Sequence, residues 1–192
     1  MTDSNWNLKN QARQQRLQRA SRALGDSLQG KICSTDKAST LLEAVLQVGD
    51  RVCLEGNNQK QADFLADALV GVDPAQIHDL HMVQSVLALP QHLDVFEKGI
   101  ANRLDFSFSG PQGARLARLA SAGRLNIGAI HTYLELFARY FVDLTPNVAL
   151  IAAQAADEQG NLYTGPNTED TPAIVEATAF SGGIVIAQVN EL

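Results

Sequence analysis

The sequence has few cysteines and no long apolar run. Its two cysteines, Cys33 and Cys53, are separated by 19 residues, a spacing that fits neither a zinc ribbon nor a disulfide framework, so both are expected to remain reduced. No stretch approaches the roughly 20 apolar residues of a membrane span. The amino-terminal sequence MTDSNWNLKNQARQQRLQRA lacks the apolar segment of a secretory signal. These absences predict a cytoplasmic protein without a membrane anchor.

The common catalytic and nucleotide-binding motifs are also missing. The chain contains no GxGxxG, Walker A, HExxH, GxSxG or CxxC pattern, so the usual phosphate-loop, zincin and hydrolase interpretations have no support. The histidines are too scattered to predict a metal site, and His78 and His81 are expected on opposite faces of one strand. His131, at the start of a predicted helix, is retained as a candidate site residue.

Positive charge is scarce overall but concentrated at the amino end. The chain carries 15 Lys and Arg against 21 Asp and Glu, a net charge of −6, which argues against nucleic-acid binding. Residues 1–40 carry seven basic and three acidic residues, whereas residues 41–100 carry three basic and nine acidic residues. The basic segment is either a solvated helix that crosses the acidic surface of its own domain or a docking site for an acidic partner.

Helical and extended patterns alternate after residue 40. Five segments are predicted as strands: residues 51–54, 77–83, 104–108, 147–153 and 184–189. Helical spacing is seen between them, in residues 41–46, 62–69, 113–122, 130–141 and from 171 onward. Because strands and helices alternate, the predicted fold is α/β, an open and mostly parallel sheet with helices on both faces.

The domain prediction separates an arm from a sheet domain. Residues 1–40 are predicted as a basic helical arm, and residues 41–192 as the α/β domain. The run from Ile184 to Val189 is expected to be a fully buried strand, yet no helix follows it within the sequence. A doubly wound strand is normally followed by a helix, so we interpret the domain as incomplete at its carboxyl end.

A polar loop after the first strand is the leading candidate for a binding site. Glu55-Gly-Asn-Asn-Gln59 lies between strand 51–54 and the following helix. Ligands bind at the carboxyl ends of strands in open parallel sheets. Gly56 permits close backbone approach, and N–H groups at a helix start can meet an oxyanion. The alternative is a plain Asn/Gly turn.

Two further loops contain candidate residues. Ser109–Gly113 precedes a helix that carries Arg115, so Gly110, Gly113 and Arg115 are predicted either to contact a phosphate or to turn the chain. The segment Asp157–Tyr163 is predicted as a hairpin turn.

These segments resemble a known family. The order of Gly49–Gly56, Phe106–Gly110, Gly123–Ile130 and Asn147–Ile151 is similar to the amino-terminal half of coenzyme A transferases. The stretches LEGNNQKQADFL, LHMVQSVLALPQHLDVF, GAIHTYLELFARYFVDLTP and GNLYTGPNTEDTPAIVEATAF look like the alpha subunit of biotin-independent malonate decarboxylases. The resemblance runs from about Leu42 to the last residue, while the basic arm matches only loosely.

The resemblance implies an activity and partners. A subunit of this family would exchange acetyl for malonyl on the thiol of an acyl carrier protein and release acetate. That thiol would belong to a prosthetic group derived from dephospho-coenzyme A and carried by the partner, so no cofactor or metal would be bound directly. Beta and gamma subunits would decarboxylate the malonyl thioester within an oligomeric complex. The alternatives are a carrier-docking half without activity alone and a transferase that uses free coenzyme A.

The resemblance also implies residue roles. The loop candidates for the oxyanion or thioester stand where coenzyme A transferases carry a glycine-rich oxyanion loop: Gly56, Asn57, Asn58 and Gln59. Lys60 and Arg115 are candidates for binding a carboxylate. The nucleophilic glutamate of many coenzyme A transferases lies on a second half of the fold. Neither Glu55 nor Glu191 matches its position, so no nucleophile is assigned.

Overall fold

The protein is described by a computed structural model that covers residues 5–57 and 59–191. The helices in this part of the chain are α1 (Asn5–Leu24), α2 (Ala38–Val45), α3 (Asp63–Val70), α4 (Gln91–Glu97), α5 (Gly113–Ser121), α6 (Tyr133–Val142) and α7 (Thr171–Phe180). The strands are β1 (Leu28–Gln29), β2 (Ile32–Cys33), β3 (Arg51–Leu54), β4 (Leu80–Val86), β5 (Ala101–Phe108), β6 (Asn126–Ile130), β7 (Val148–Ala156), β8 (Leu162–Tyr163) and β9 (Ile184–Glu191). Asn58, Leu192 and the first four residues lie outside the described residues.

A mostly parallel sheet forms the centre of the fold. Its strand order is β6-β5-β4-β3-β7, with β9 parallel to β7 and β8 antiparallel to the end of β7. The small β1–β2 hairpin stands apart from this sheet. The prediction of an open, mostly parallel α/β sheet is therefore confirmed, as is the hairpin predicted for Asp157–Tyr163, which joins β7 to β8.

The two faces of the sheet are covered by different helices. The larger apolar cluster lies between the sheet and α1 to α5, and it contains Val52 and Leu54 of β3. The smaller cluster lies on the other face against α6 and α7, and it contains Cys53. Alternate residues of β3 therefore enter opposite cores, as the period of a strand requires. The prediction of helices on both faces is confirmed.

Several element boundaries differ from the prediction. The second large strand begins at Leu80, not at Ile77, because Asp79 has a φ of 58°, a left-handed conformation that ends the extended run. His78 therefore lies outside the strand and only His81 lies within it. The sequence patterns missed β6, α4 and the β1–β2 hairpin.

Two apolar segments of the sequence are only partly buried. The run from Ile184 to Val189 was expected to be fully buried, but in β9 only Ile184 is buried. This expectation was wrong because β9 pairs with β7 alone among the described strands, so one of its edges is open. In α6, Leu136 and Tyr140 are buried while Leu134 is 82% exposed.

The amino-terminal arm contains a helix that is anchored to the sheet domain. Arg16 of α1 is buried and donates hydrogen bonds to Asp50, to Gln47 and to the carbonyl oxygen of Val45. The predicted boundary at residue 40 falls inside α2. Among the described residues, no helix is long and apolar enough to cross a membrane.

Candidate active site

The loop that follows β3 is closed by Asn57. Its side-chain Oδ1 accepts hydrogen bonds from the N–H groups of Gln59 at 2.7 Å and Lys60 at 2.8 Å, and its own N–H donates to the Lys60 carbonyl at 3.0 Å. The backbone N–H groups of Gln59 and Lys60 are thus bound within the loop. The Asn57 side-chain Nδ2 is buried and has no hydrogen-bond partner among the described residues.

Gly56 is required by the close approach of a buried histidine. A Cβ at this position would lie 2.3 Å from Cε1 of His92, a separation that real Cβ atoms do not tolerate. The Gly56 carbonyl accepts from the N–H of Val86 at 3.0 Å and lies 3.2 Å from the Ser85 hydroxyl. The loop is therefore packed tightly against the end of β4 and against α4.

Glu55 anchors the base of this loop. Its side chain is fully buried, and one carboxylate oxygen accepts from Lys60 Nζ at 3.2 Å and from the Thr171 hydroxyl. The other oxygen accepts from the N–H of Ala152 at 2.8 Å. The carboxylate thus joins the end of β3 to β7 and to the start of α7. The hydrogen bonds of Glu55 and Lys60 described here are thus made within the fold.

A second buried carboxyl group stands beside the loop. Asp170 precedes α7, is fully buried, and its Oδ2 lies 2.6 Å from the hydroxyl of Ser85. Its Oδ1 has no partner among the described residues. Burial, together with the negative charge of the nearby Glu55, raises the pKa of Asp170 to about 6 against the lowering effect of the Ser85 hydrogen bond.

Several buried polar atoms around this loop have no partner among the described residues. They are Asn57 Nδ2, Asp170 Oδ1 and both ring nitrogens of His92. Burial lowers the pKa of His92 to about 4, so its imidazole is neutral at neutral pH. Buried polar groups are nearly always hydrogen-bonded in folded proteins. Such a concentration at the carboxyl ends of β3 and β4 is typical of a ligand site, so we take this cluster as the candidate active site.

Two of the four loop candidates meet at this cluster, Gly56 and Asn57. The Gln59 side chain is directed elsewhere, and its Oε1 accepts from Asn167 at 3.0 Å. The fourth candidate, Asn58, lies outside the described residues. Sequence reasoning missed Ser85, His92 and Asp170, because each comes from a different element and none belongs to a local motif.

The other predicted loop lies nearby on the same edge of the sheet. A Cβ at Gly110, which has a φ of 51°, would lie 3.3 Å from the carbonyl oxygen of Leu87, just beyond β4. Gly113 begins α5. Arg115 bridges α5 to α4 through Asp94 at 2.5 Å and Glu97 at 2.7 Å, so this guanidinium is engaged in surface ion pairs.

His131 belongs to a second polar cluster. The carboxylate of Asp105 lies 2.9 Å from Nε2 of His131 and 2.6 Å from Nε2 of His81, and Glu135 lies 3.2 Å from the other ring nitrogen of His131. Burial alone would raise the pKa of Asp105, but the hydrogen bonds from both histidines outweigh it and hold this pKa at about 2. Gly128 leaves room for the carboxylate, since a Cβ there would lie 2.1 Å from it. Within residues 5–57 and 59–191, no group of three or more His, Cys, Asp or Glu is arranged to hold a metal ion.

The fold and the cluster together define a class. A parallel α/β sheet with a polar, glycine-containing loop at the carboxyl ends of its strands is the architecture of many ligand-binding α/β enzymes. Comparison with known proteins gives the family. A family model described as "Malonate decarboxylase, alpha subunit, transporter" matches residues 5–192. The chain belongs to the malonate decarboxylase alpha-subunit family, and the match includes the amino-terminal arm, which the resemblance alone covered only loosely.

Individual relatives agree with this assignment. An acetyl-S-ACP:malonate ACP transferase of Malonomonas rubra is 61% identical over 162 residues, which are 84% of this chain and 29% of the relative. The crystal structure of a malonate decarboxylase alpha subunit from Acinetobacter baumannii superposes with a TM-score of 0.93 at 52% identity, over 97% of this chain and 34% of that one. A chain of a Pseudomonas malonate decarboxylase hetero-tetramer in complex with malonate gives a TM-score of 0.93 at 57% identity, over 98% and 34%. The chain thus spans about a third of the length of these relatives.

Proposed function

We propose that this chain is part of a transferase subunit that exchanges acetyl for malonyl on the thiol of an acyl carrier protein and releases acetate. The observation that carries the proposal is the 61% identity to an acetyl-S-ACP:malonate ACP transferase. In this proposal the thiol arrives on the carrier's prosthetic group, derived from dephospho-coenzyme A. In this proposal, beta and gamma subunits then act on the malonyl thioester. The hetero-tetramer of the Pseudomonas relative supports assembly into a multisubunit complex.

The loop after β3 supplies the acyl-binding groups in this proposal. Exchange between a carboxylate and a thioester passes through oxyanionic centres, which are stabilised by preorganised N–H donors at a dry site. The backbone donors of Gln59 and Lys60 are bound to Asn57, whereas the Asn57 Nδ2 amide has no partner in the part of the chain that the structure describes. We therefore assign the oxyanion contact to Asn57 Nδ2, with Gly56 providing close backbone approach. This chain needs no metal for that role.

We also propose that the protein is cytoplasmic. Cys33 and Cys53 are both unpaired. Unpaired cysteines are typical of a reducing compartment, which supports a cytoplasmic location.

A second candidate function follows from the length of the chain. Because it spans about a third of its relatives, it could supply carrier docking and subunit contacts while the reaction requires the rest of the subunit. The two functions differ in whether the loop at Gly56 catalyses exchange when this chain is present alone.

The test is the mass of acetylated carrier protein after incubation with malonate. The 192-residue chain is compared with a chain extended to the length of the relatives, and free acetyl-coenzyme A replaces the carrier in a third arm. Conversion of acetyl to malonyl carrier by the short chain supports a complete site within it. Conversion only by the extended chain supports the docking function. Reaction with free coenzyme A and none with the carrier would contradict both.

A further inference from the structure

Ser85 lies between two acceptors that compete for its single proton. Its hydroxyl oxygen is 2.6 Å from Oδ2 of Asp170 and 3.2 Å from the carbonyl oxygen of Gly56. A hydroxyl group can donate only one hydrogen bond. When Asp170 is ionised, its carboxylate accepts that bond. When Asp170 is protonated on Oδ2, its own O–H donates to Ser85, and the serine proton is then free to turn to Gly56.

We propose that Asp170 is a positioning residue, whose protonation selects the hydrogen bond of Ser85 and thereby sets the Gly56 carbonyl in the acyl-binding loop. The importance of that loop for catalysis rests on the proposed function. The coupling of Asp170 to Gly56 through Ser85 does not, since it is argued from the hydrogen-bond distances around Ser85 and the burial of Asp170.

The surroundings of Asp170 make both protonation states accessible. Burial raises its pKa to about 6, so both the ionised and the protonated forms are populated near that pH. The negative charges of Glu55 and Glu169 oppose its ionisation, and the positive charge of Lys60 is already engaged by Glu55. Several titratable and charged groups face Asp170: Cys53 and Glu55 at β3, Tyr133 and Tyr140 of α6, and Glu169. Lys60 also lies close to it, because Lys60 donates a hydrogen bond to Thr171, the next residue.

The switch adjusts the loop without releasing it. Gly56 accepts a second hydrogen bond from the N–H of Val86 at 3.0 Å, which does not depend on Asp170. The peptide that follows Gly56 is held by the bond from the Asn57 N–H to Lys60. A change at the Gly56 carbonyl therefore alters the polarity of the peptide bond that leads into Asn57, the residue assigned to the oxyanion.

The sequence offers a selective probe of this carbonyl. Only Gly56 and Gly160 precede an asparagine in this chain, so labelling glycine carbonyls with ¹³C and asparagine amides with ¹⁵N leaves two one-bond NMR correlations. Gly160 is an internal control in the β7–β8 turn. The carboxylate near it, Asp157, has its pKa lowered by hydrogen bonds from Asn161 and remains ionised over the range of interest.

The experiment is a titration of these two correlations in the full chain between about pH 5 and about pH 8. The Gly56 carbonyl shift is expected to change with a midpoint near pH 6, while that of Gly160 stays constant. In Asp170→Asn, whose amide donates to Ser85 as the protonated acid does, the Gly56 shift is expected to remain at its low-pH position throughout. An unchanged midpoint in Asp170→Asn overturns the proposal.

A second variant separates the relay from a through-space charge effect. In Ser85→Ala, the carboxyl ¹³C signal of Asp170 still titrates, but the Gly56 shift is expected to lose most of its pH dependence. A full-sized Gly56 titration in Ser85→Ala would show that Ser85 carries no coupling and would contradict the proposal. Asp26→Asn, at an exposed position in the turn after α1, is the matched control. In this variant the Gly56 carbonyl shift is expected to titrate as it does in the parent protein.

Catalytic measurements then separate this proposal from the proposed function. With whichever preparation is active in the carrier assay, Asp170→Asn is expected to remove the inflection near pH 6 from the rate of acyl exchange, and Asp26→Asn to retain it. NMR coupling without any acyl exchange would contradict the proposed function alone. Acyl exchange without NMR coupling would overturn the role of Asp170 alone.

Discussion

At the scale of single residues, the candidate site depends on two close contacts in the loop that follows β3. Gly56 lies against the ring of His92, and Asn57 closes the loop with one atom of its amide while leaving the other unpartnered. The Gly56 contact with His92 is steric, whereas the contacts of Asn57 are hydrogen bonds. Substitutions can therefore test them separately.

Gly56→Ala is expected to destabilise the protein by about 1–3 kcal/mol, the usual cost of inserting a methyl group into a packed site. Its Cβ would lie 2.3 Å from His92, which must move. Urea denaturation measures the loss, and truncating the ring in Gly56→Ala/His92→Ala is expected to remove the clash. The control Gly113→Ala meets only the flexible Ser109 hydroxyl at 3.0 Å, so it is expected to be tolerated. Equal losses in both alanine variants would rule out the proposed clash.

Substitutions of Asn57 can separate folding from catalysis. Asn57→Ala removes the acceptor for two N–H groups and is expected to cost about 1–3 kcal/mol as well as acyl exchange. Asn57→Asp retains an oxygen that can close the loop but lacks the Nδ2 donor. It is therefore expected to lose much more activity than stability. If Asn57→Asp exchanged acyl groups at the parental rate, Asn57 Nδ2 would have no role at the oxyanion.

At the scale of elements, one buried ion pair joins the amino-terminal helix to the rest of the fold. Arg16 of α1 reaches Asp50, which immediately precedes β3, and both side chains are almost completely buried. Arg13 and Arg22 of the same helix are exposed, and no local sequence feature distinguishes Arg16 from them. Only the packing of α1 against the sheet domain does so.

Arg16→Met is expected to destabilise the protein by about 3–5 kcal/mol, because it leaves the carboxylate of Asp50 buried without its partner. Adding Asp50→Asn is expected to recover part of that loss. Arg13→Met, the matched control at an exposed position of the same helix, is expected to stay within about 0.5 kcal/mol of the parent protein. Urea midpoints of the four proteins give the comparison. A loss in Arg13→Met as large as in Arg16→Met would contradict this account of α1.

At the scale of the whole molecule, buried titratable groups make stability depend on pH in opposite directions. The pKa of His92 is lowered from 6.5 to about 4, so its contribution is present above pH 6.5 and lost as the pH falls through about 4. The pKa of Asp170 is raised from 3.8 to about 6, so its contribution is present below pH 3.8 and lost as the pH rises through about 6. Each contribution is on the order of 3 kcal/mol.

His92→Gln is expected to flatten the fall in the free energy of unfolding between pH 6.5 and about 4. The reason is that glutamine takes up no proton when the protein unfolds. His78→Gln, at a half-buried histidine outside the strands, is the matched control for the loss of one imidazole. Urea denaturation at several pH values in this range measures the slope. A slope that His92→Gln leaves intact would assign the acid sensitivity to other groups.

Local sequence patterns predicted those parts of the fold that depend on neighbours in sequence. The apolar run at 147–153 predicted a strand buried on both faces, and β7 is buried from Val148 to Ala153. The strand 51–54 was predicted with its observed bounds. The polar loop after it was predicted as a candidate site because its place in a parallel sheet follows from the order of elements. Those predictions needed only periodicity and turn residues.

The rest was decided by residues that are distant in sequence. Ser85, His92 and Asp170 reach the loop at Gly56 from β4, α4 and the start of α7, and no local pattern marks a side chain whose partner lies on another element. The edge position of β9 and the burial of Arg16 depend in the same way on which elements become neighbours. The sequence by itself therefore determined the fold class, the leading loop and the resemblance to a family. Only the tertiary structure decided which carboxylates, histidines and hydroxyls share one buried environment, because burial and pairing arise when separate elements pack together.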